Sequence, residues 1–200
     1  MAESPAIRLA TMDDAAQIAA IYTPVVLDTP ASFEIEPPTT AEMAIRIGSI
    51  LPGHPWLVCE RRGDILGYVY GGTHRGRPAY QWSVETTVYI AAAAQRQGIG
   101  RALYAALLEA LPMQGFYTAF AGITLPNAGS VGLHEALGFQ SIGTFHKAGY
   151  KFGRWHDVGW WQRPLQAYAG PAGPPLPLAA VSSTQQFQDV LRRAALSLML

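Results

Sequence analysis

The sequence is poor in cysteine and in charge, and both shortages exclude classes of protein. Cys59 is the single cysteine, so the chain cannot form an internal disulfide, and its apolar surroundings WLVCE predict a buried side chain. Charged residues make up 14% of the chain, against about 25% in an average soluble protein. The 14 basic and 14 acidic residues cancel, so net charge gives no attraction for nucleic acid or for an anionic membrane.

Long apolar runs and targeting segments are also missing. No run approaches the roughly 18 apolar residues that a membrane span needs. The N-terminal MAESPAIRLA lacks the basic and apolar parts of a signal peptide. We therefore expect a cytoplasmic protein that binds neither nucleic acid nor membrane. A neutral surface with few charges favours self-association, so we also expect a homo-oligomer.

Half of the 200 residues are apolar, which is enough to fill the core of one domain. Their spacing predicts a chain that is mostly β with helices interposed, on a sheet that mixes antiparallel hairpins with a β–α–β segment. The predicted strands cover residues 6–9, 56–61, 65–71, 80–90, 117–125, 139–145 and 157–164. The predicted helices begin near Thr11, Thr40, Gly98 and Asn127.

The composition changes after Leu165, where AYAGPAGPPLPLAAVSSTQ begins. We therefore predict a domain over residues 1–165, and over residues 166–200 a Pro/Ala-rich linker followed by a candidate amphipathic helix. One stripe of that helix would carry Phe187, Val190, Leu191, Ala194 and Leu198. Two interpretations stay open: a frayed tail, or a helix that docks on the domain or contacts a second copy.

A glycine-rich turn, QRQGIGRAL at residues 95–103, precedes an amphipathic helix. The free N–H groups and dipole of a helix N-terminus favour an anion such as phosphate. A dinucleotide fingerprint would need glycine where Leu103 stands, with an acidic residue about 20 positions further on, and neither is present. The Gly-Lys-Ser/Thr of a triphosphate loop is also absent. An anion site and a plain tight turn remain.

The strand before this turn has one polar face. Alternation places Ser83, Glu85, Thr87 and Tyr89 on that face, and the apolar residues on the other. Such a face is either exposed to solvent or the wall of a cleft, and a strand that ends in a phosphate-binding turn favours the cleft. A carboxylate, a hydroxyl and a phenol would then line that wall.

A third segment, NAGSVGLHEALGF, follows the next strand. Asn127 is placed to cap a helix, and Gly138 to end it. His134 lies on the helix face that carries Ser130 and Leu137. This pattern is typical of a packed histidine and also fits a functional one.

The turn and this segment together resemble the Gcn5-related N-acetyltransferases (GNAT). The family turn Gln/Arg-x-x-Gly-x-Gly/Ala is matched by Gln95, Gly98 and Gly100. Its second motif is matched by Asn127, Ser130, Leu133, Gly138 and Phe139, but His134 stands where the family has a tyrosine that often protonates the coenzyme A thiolate. The blocks HPWLVCE, YQWSVETTVYI, LPNAGSVGLHEALGF and AGYKFGRWHDVGWWQR resemble the phosphinothricin N-acetyltransferase group, over about residues 7–165.

The resemblance implies an α/β (α+β) GNAT fold with a central mixed, largely antiparallel sheet of about seven strands that is split to admit acetyl-CoA. It implies direct acetyl transfer to the α-amine of a small-molecule amino acid, a homodimer, and no metal. The implied catalytic pair is Glu85 and His134. The implied coenzyme contacts are Val88, Tyr89, Ile90, Gln95, Arg96, Gln97, Gly98, Ile99, Gly100, Arg101, Asn127 and Ser130. The implied acceptor contacts are Phe33, Arg75, Arg77, Tyr80, Thr87, Tyr89 and Val158.

Other functions stay open at this level. A non-catalytic acetyl-CoA-binding regulatory module would keep the turn, but has no need of Glu85 and His134 on a cleft wall. An enzyme that acetylates protein lysines would favour an acidic groove, whereas the THRGRP loop carries two arginines. Acetylation of a different small amine also remains, and the sequence does not choose between phosphinothricin, methionine sulfone, methionine sulfoximine and ordinary amino acids.

Overall fold

Seven strands form one sheet with helices on both faces in the computed structural model, which describes residues 4–169 and 172–198. The predictions made for the first three residues, for Gly170 and Pro171 of the linker, and for the last two residues lie outside that range. The strands are β1 (Ala6–Leu9), β2 (Trp56–Arg61), β3 (Asp64–Thr73), β4 (Ser83–Ile90), β5 (Thr118–Leu125), β6 (Gln140–Lys151) and β7 (Arg154–Pro164). The helices are α1 (Ala15–Asp28), α2 (Thr40–Ile50), α3 (Ile99–Met113), α4 (Ala128–Ala136), α5 (Leu178–Ser182) and α6 (Gln185–Leu196).

The strand order is β1-β2-β3-β4-β5-β7-β6. Every neighbouring pair is antiparallel except β4 and β5, which are parallel and joined through α3. The structure therefore confirms the predicted mixed, largely antiparallel sheet with one β–α–β segment.

The sheet separates two apolar clusters. On one face the predicted amphipathic helix, α3, buries an apolar stripe of Ile99, Leu103, Leu107 and Leu111. On the other face α1 and α2 bury Ile18, Met43 and Ile47 against β2 and β3. Cys59 is fully buried as predicted, and burial raises the pKa of its thiol to about 11.

Local capping signals place the helix starts. Thr39 accepts a hydrogen bond from Glu42 N, and the Glu42 carboxylate accepts one from Thr39 N, so α2 begins with a capping box. The helix predicted to begin near Thr11 instead opens with a short 3₁₀ turn at Met12–Asp14, in which the Asp14 carboxylate accepts from Thr11 N, and α1 follows at Ala15.

The main differences from the predicted strand boundaries lie in β4 and in the β6–β7 pair. β4 begins at Ser83 rather than at residue 80, because Pro78 starts a 3₁₀ turn over Pro78–Tyr80. β6 and β7 run on toward each other as one long hairpin, which the sequence shows only as the separate strands 139–145 and 157–164. The hairpin turns at Phe152 and Gly153, both with positive φ (53° and 73°), and phenylalanine is an unusual residue for that conformation.

The C-terminal segment lies against the domain. Leu176 exchanges backbone and side-chain hydrogen bonds with Gln114, and Gly173 O accepts a bond of 2.7 Å from Trp82 Nε1. α6 then packs on α3 and β1 through the predicted stripe, in which Phe187 is fully buried. Within residues 4–169 and 172–198, no helix is both long enough and apolar enough to cross a bilayer.

Candidate active site

A gap opens in the sheet between β4 and β5. The two strands pair over only three positions, from Ser83 opposite Thr118 to Glu85 opposite Phe120, although each strand is eight residues long. Beyond Glu85 the strands diverge, so residues 86–90 have a ladder partner on the β3 side alone. Backbone N–H and C=O groups on the free edge of that segment therefore face the gap. Val88, Tyr89 and Ile90, predicted to contact the coenzyme, lie on this segment.

The glycine turn stands where β4 leaves the sheet. Gly98 adopts a positive φ of 80° as the residue that caps α3, a conformation that favours glycine. The first helical hydrogen bond runs from Ala102 N to Gly98 O, so the N–H groups of Ile99, Gly100 and Arg101 precede the helical ladder. Gln95, Arg96, Gln97 and Arg101 are exposed around them. Free N–H groups, a helix dipole and two arginines together suit a pyrophosphate.

α4 packs beside this turn. Asn127 caps α4 as predicted, with its side-chain oxygen 3.1 Å from Ser130 N. A Cβ built on Gly100 would lie 3.4 Å from Leu133 and 3.7 Å from Ile90, so Gly100 sits between the end of β4 and α4. The structure thereby brings the turn, β4 and α4 together around the mouth of the gap.

Glu85 lies at the closed end of the gap, at the last position where β4 and β5 pair. Its side chain is 40% exposed, and its Oε1 atom is 2.9 Å from His74 Nδ1. The predicted polar face of β4 continues with Thr87 and Tyr89, which are partly exposed. The Tyr89 ring lies 5.0 Å from that of Tyr22, and burial raises the pKa of the Tyr89 phenol, which therefore stays protonated.

His134 is buried and both ring nitrogens are occupied. Nδ1 is 2.7 Å from Ser130 O, which can only accept, so Nδ1 carries the proton. Nε2, 2.8 Å away from the Tyr104 hydroxyl, then accepts from it. Burial lowers the pKa of His134, so the ring is neutral. The Tyr104 oxygen is also 3.1 Å from Thr86 Oγ1, so His134 reaches β4 at Thr86 rather than at Glu85.

The predicted acceptor residues fall into three groups, the first of which is Thr87 and Tyr89 on β4. Arg75, Arg77 and Tyr80 line a pocket of about 390 Å³ together with His74, on the loop that joins β3 to β4. Phe33 and Val158 lie instead at the β6–β7 hairpin, where Val158 is paired with Phe145. Phe33 packs on the Gly149 backbone, at a place where a Cβ would come within 2.3 Å of the ring.

A buried lysine links the Phe33 loop to the hairpin. Lys151 Nζ donates to the carbonyl oxygens of Val26, Thr29 and Ser32, at 2.6, 3.1 and 2.7 Å. The first two lie at the C-terminal end of α1, where the helix dipole favours a cation. Burial lowers the pKa of Lys151, whereas the hydrogen bonds to these three carbonyl oxygens stabilise its ammonium group.

Sequence reasoning missed His74, Tyr104 and Lys151. His74 lies between β3 and the two arginines, and no local spacing links it to Glu85. Tyr104 falls on the apolar side of α3, where it looks like one more core residue. Its contact with His134 spans 30 residues of sequence, and a lone lysine in AGYKFG gives no sign of burial.

Comparison with known proteins identifies the family to which the chain belongs. The family model for the acetyltransferase (GNAT) domain matches residues 7–160, so the chain belongs to the GNAT family and is an N-acetyltransferase. It is 42% identical over 176 residues to the phosphinothricin N-acetyltransferase of Streptomyces viridochromogenes, covering 88% of this chain and 94% of that one.

Two further relatives agree with this family. The chain is 36% identical over 166 residues to the L-methionine sulfoximine/L-methionine sulfone acetyltransferase of Salmonella typhimurium, covering 82% and 97% of the two chains. The crystal structure of a phosphinothricin acetyltransferase from Sinorhizobium meliloti in complex with AcCoA superposes with a TM-score of 0.81, at 36% identity, covering 85% of this chain and 94% of that one. The predicted family and fold are confirmed.

Proposed function

We propose that this protein transfers the acetyl group of acetyl-CoA directly to the α-amino group of phosphinothricin or of a related amino acid, such as methionine sulfone or methionine sulfoximine. The observation that carries the proposal is the gap between β4 and β5, with an anion-binding turn at its mouth and Glu85 at its closed end. The relatives named above supply the substrate class.

The residues around the gap fit acetyl-CoA. The N–H groups of Ile99, Gly100 and Arg101, with the exposed Arg96 and Arg101 side chains, complement its pyrophosphate. The free edge of β4 at residues 88–90 offers backbone donors to the thioester carbonyl oxygen, on which negative charge develops. Asn127 and Ser130 complete the proposed coenzyme site beside the turn. Bound acetyl-CoA supplies an acetyl group already activated as a thioester.

Glu85 is the proposed general base. An amino-acid α-amine is mostly protonated at neutral pH and cannot attack a thioester until it loses a proton. Glu85 accepts that proton directly or through one water, since His74 occupies only its Oε1 atom and the side chain stays partly exposed. Proton transfer of this kind contributes roughly 10²–10⁴ in rate.

His134 is the proposed second acid or base. In the neutral ring Nε2 carries no proton, so His134 would act as a base by taking one up from the gap through Thr86 and the Tyr104 hydroxyl, and as an acid by returning it along the same path. This route replaces the tyrosine of the family pattern with a histidine–tyrosine pair on neighbouring helices.

The acceptor side chain is proposed to lie at Arg75 and Arg77. A guanidinium binds a carboxylate or phosphinate through two parallel hydrogen bonds, and both arginines line the pocket that His74 and Tyr80 complete. Thr87 and Tyr89 extend that wall along β4, while Phe33 and Val158 would close it from the hairpin side.

We also propose that the protein forms a homodimer. The β6–β7 hairpin exposes five large apolar side chains, each more than half accessible: Ile142, Phe145, Tyr150, Phe152 and Trp155. So large an exposed apolar set marks an interaction surface, and a second copy of the chain is the occupant we propose. We place the protein in the cytoplasm, where acetyl-CoA is available, and expect it to confer resistance to phosphinothricin, which is a herbicide.

The test is release of free thiol from acetyl-CoA against a panel of acceptors. Phosphinothricin, methionine sulfone and methionine sulfoximine are expected to release thiol far faster than leucine or a lysine-containing peptide. Binding of acetyl-CoA without thiol release by any member of the panel would favour a non-catalytic coenzyme-binding module. Preference for the lysine peptide would contradict the proposed acceptor class.

A further inference from the structure

His74 is held rigidly although it follows the end of β3. Its ring stacks on Phe120 at a centroid distance of 4.3 Å with 16° between the planes. The edges of Tyr80 and Trp160 enclose it at 5.7 and 6.2 Å, and only 9% of its side chain is exposed. Aromatic contacts on three sides leave the ring little freedom to rotate.

The strand registers explain why this ring meets Glu85. Glu85 is opposite Gly72 on β3 and opposite Phe120 on β5, so these three positions form one row across the closed end of the gap. His74, two residues after Gly72, falls on the same side of the chain as that row. Gly72 has no side chain, and a Cβ there would meet only Tyr70, so the space beside Glu85 is open to His74.

The hydrogen bond between them has a defined direction. Glu85 Oε1 is 2.9 Å from His74 Nδ1, and an ionised carboxylate only accepts, so Nδ1 carries the hydrogen. One oxygen of Glu85 is thereby fixed, and the other is left to the gap.

We propose that His74 is the positioning residue of Glu85. It donates Nδ1–H to Oε1, holds the carboxylate at the closed end of the gap, and directs Oε2 at the acceptor amine. The inference rests on the proposed function, because it presumes that Glu85 takes the proton of that amine. His74 itself touches neither the amine nor the thioester in this scheme.

Two substitutions separate positioning from packing. His74→Phe keeps a ring that can stack on Phe120 but removes the donor, whereas His74→Asn places an amide N–H close to the position of Nδ1. We expect His74→Phe to lower kcat by roughly 10–10²-fold, the usual effect of a misplaced catalytic group, with the KM for acetyl-CoA unchanged. His74→Asn should recover most of the loss. Equal damage by both substitutions, or wild-type kcat in His74→Phe, would overturn the proposal.

A double-mutant cycle shows whether His74 acts through Glu85. In a Glu85→Gln background, His74→Phe should cost almost nothing further, because the carboxylate it positions is already gone. If His74→Phe lowers kcat by the same factor in both backgrounds, His74 acts independently of Glu85 and the proposal fails.

A spectroscopic measurement decides the hydrogen bond without any activity. In ¹⁵N-histidine spectra, the signals missing from His74→Phe identify His74. They should show a protonated Nδ1 in the wild type and should move in Glu85→Gln. An unprotonated Nδ1, or signals indifferent to Glu85→Gln, would overturn the inference. A wild-type protein with these signals but no acetyl transfer would instead contradict the proposed function alone.

Discussion

His134 shows at the scale of one residue how burial sets a charge state. Its ring donates from Nδ1 to Ser130 O and accepts at Nε2 from Tyr104, so the neutral form satisfies both nitrogens. A protonated ring would have to donate from Nε2 as well, and would carry its charge away from water. Both effects agree with the lowered pKa of His134.

The free energy of unfolding should therefore decrease on mild acidification. Unfolded histidine titrates near 6.5, whereas the pKa values of buried His134 and of partly buried His54 are lowered by desolvation. Above pH 6.5 these neutral rings make their full contribution to the free energy of unfolding. That contribution is lost as the pH falls below 6.5, because the histidines of the unfolded chain take up protons before those of the folded chain. Each histidine adds a slope of up to about 1.4 kcal/mol per pH unit. Urea denaturation at several pH values between 8 and 5.5 measures this slope.

The matched comparison is His134→Gln, which has no titrating group at this position. Its free energy of unfolding should depend less steeply on pH than that of the wild type, whatever its absolute value. Identical slopes in the two proteins would contradict a neutral, buried His134.

At the scale of the element, α6 belongs to the core of the domain. Phe187, Val190 and Leu191 of α6 are buried against α3 and β1, and Arg193 pairs with Glu109 of α3 at 2.7 Å. The amphipathic stripe of this segment predicted a helix. Whether the helix docks depends on the complementary surface of α3, about 80 residues away, which periodicity within the segment cannot show.

Truncating the buried side of α6 should destabilise the whole domain. Phe187→Ala removes a fully buried ring and should lower the free energy of unfolding by about 3–5 kcal/mol. Leu196→Ala, at an exposed position of the same helix, should change it by no more than about 0.5 kcal/mol. Chemical denaturation compares the two variants, and equal small effects would show that α6 does not dock.

The turn before α3 makes a second prediction at this scale. Valine at Gly100 would push its branches against Leu133 and Ile90, since even a Cβ there lies 3.4 Å from Leu133. We expect Gly100→Val to weaken acetyl-CoA binding about 10–100-fold. Gly132→Val is the control, because a Cβ at Gly132 of α4 meets nothing within 4 Å. Calorimetric titration that finds equal affinities in the two variants would remove the turn from the coenzyme site.

Sequence reasoning was accurate where the determining interactions are local. Alternation and capping residues predicted seven strands and the starts of α2, α3 and α4 within a residue or so. It failed at the hairpin tip, where Phe152 adopts a positive φ that its residue type does not predict. It also missed His74, because the row of Gly72, Glu85 and Phe120 exists only after three strands have paired.

At the scale of the whole molecule, the proposed homodimer depends on the exposed apolar side chains of the β6–β7 hairpin. Trp155 is 59% exposed near the tip of this hairpin, beside Tyr150. A charge there would be costly inside an interface, so Trp155→Glu should shift a dimer toward monomer. Sedimentation velocity measures the shift. Ile45→Glu, at a position of α2 that is 69% exposed, is the control and should leave the dimer intact. A dimer unchanged by Trp155→Glu would place the interface elsewhere.

Glu85 at the closed end of the sheet gap is the proposed base toward the acceptor amine, and Glu85→Gln removes that base. The amide keeps the size of the side chain but cannot take a proton at neutral pH. The measurement is kcat for the best acceptor over a range of pH, with acetyl-CoA affinity determined in parallel. We predict a fall in kcat of roughly 10²–10⁴-fold with nearly unchanged acetyl-CoA affinity. Wild-type turnover by Glu85→Gln across the whole pH range would show that Glu85 is not the base.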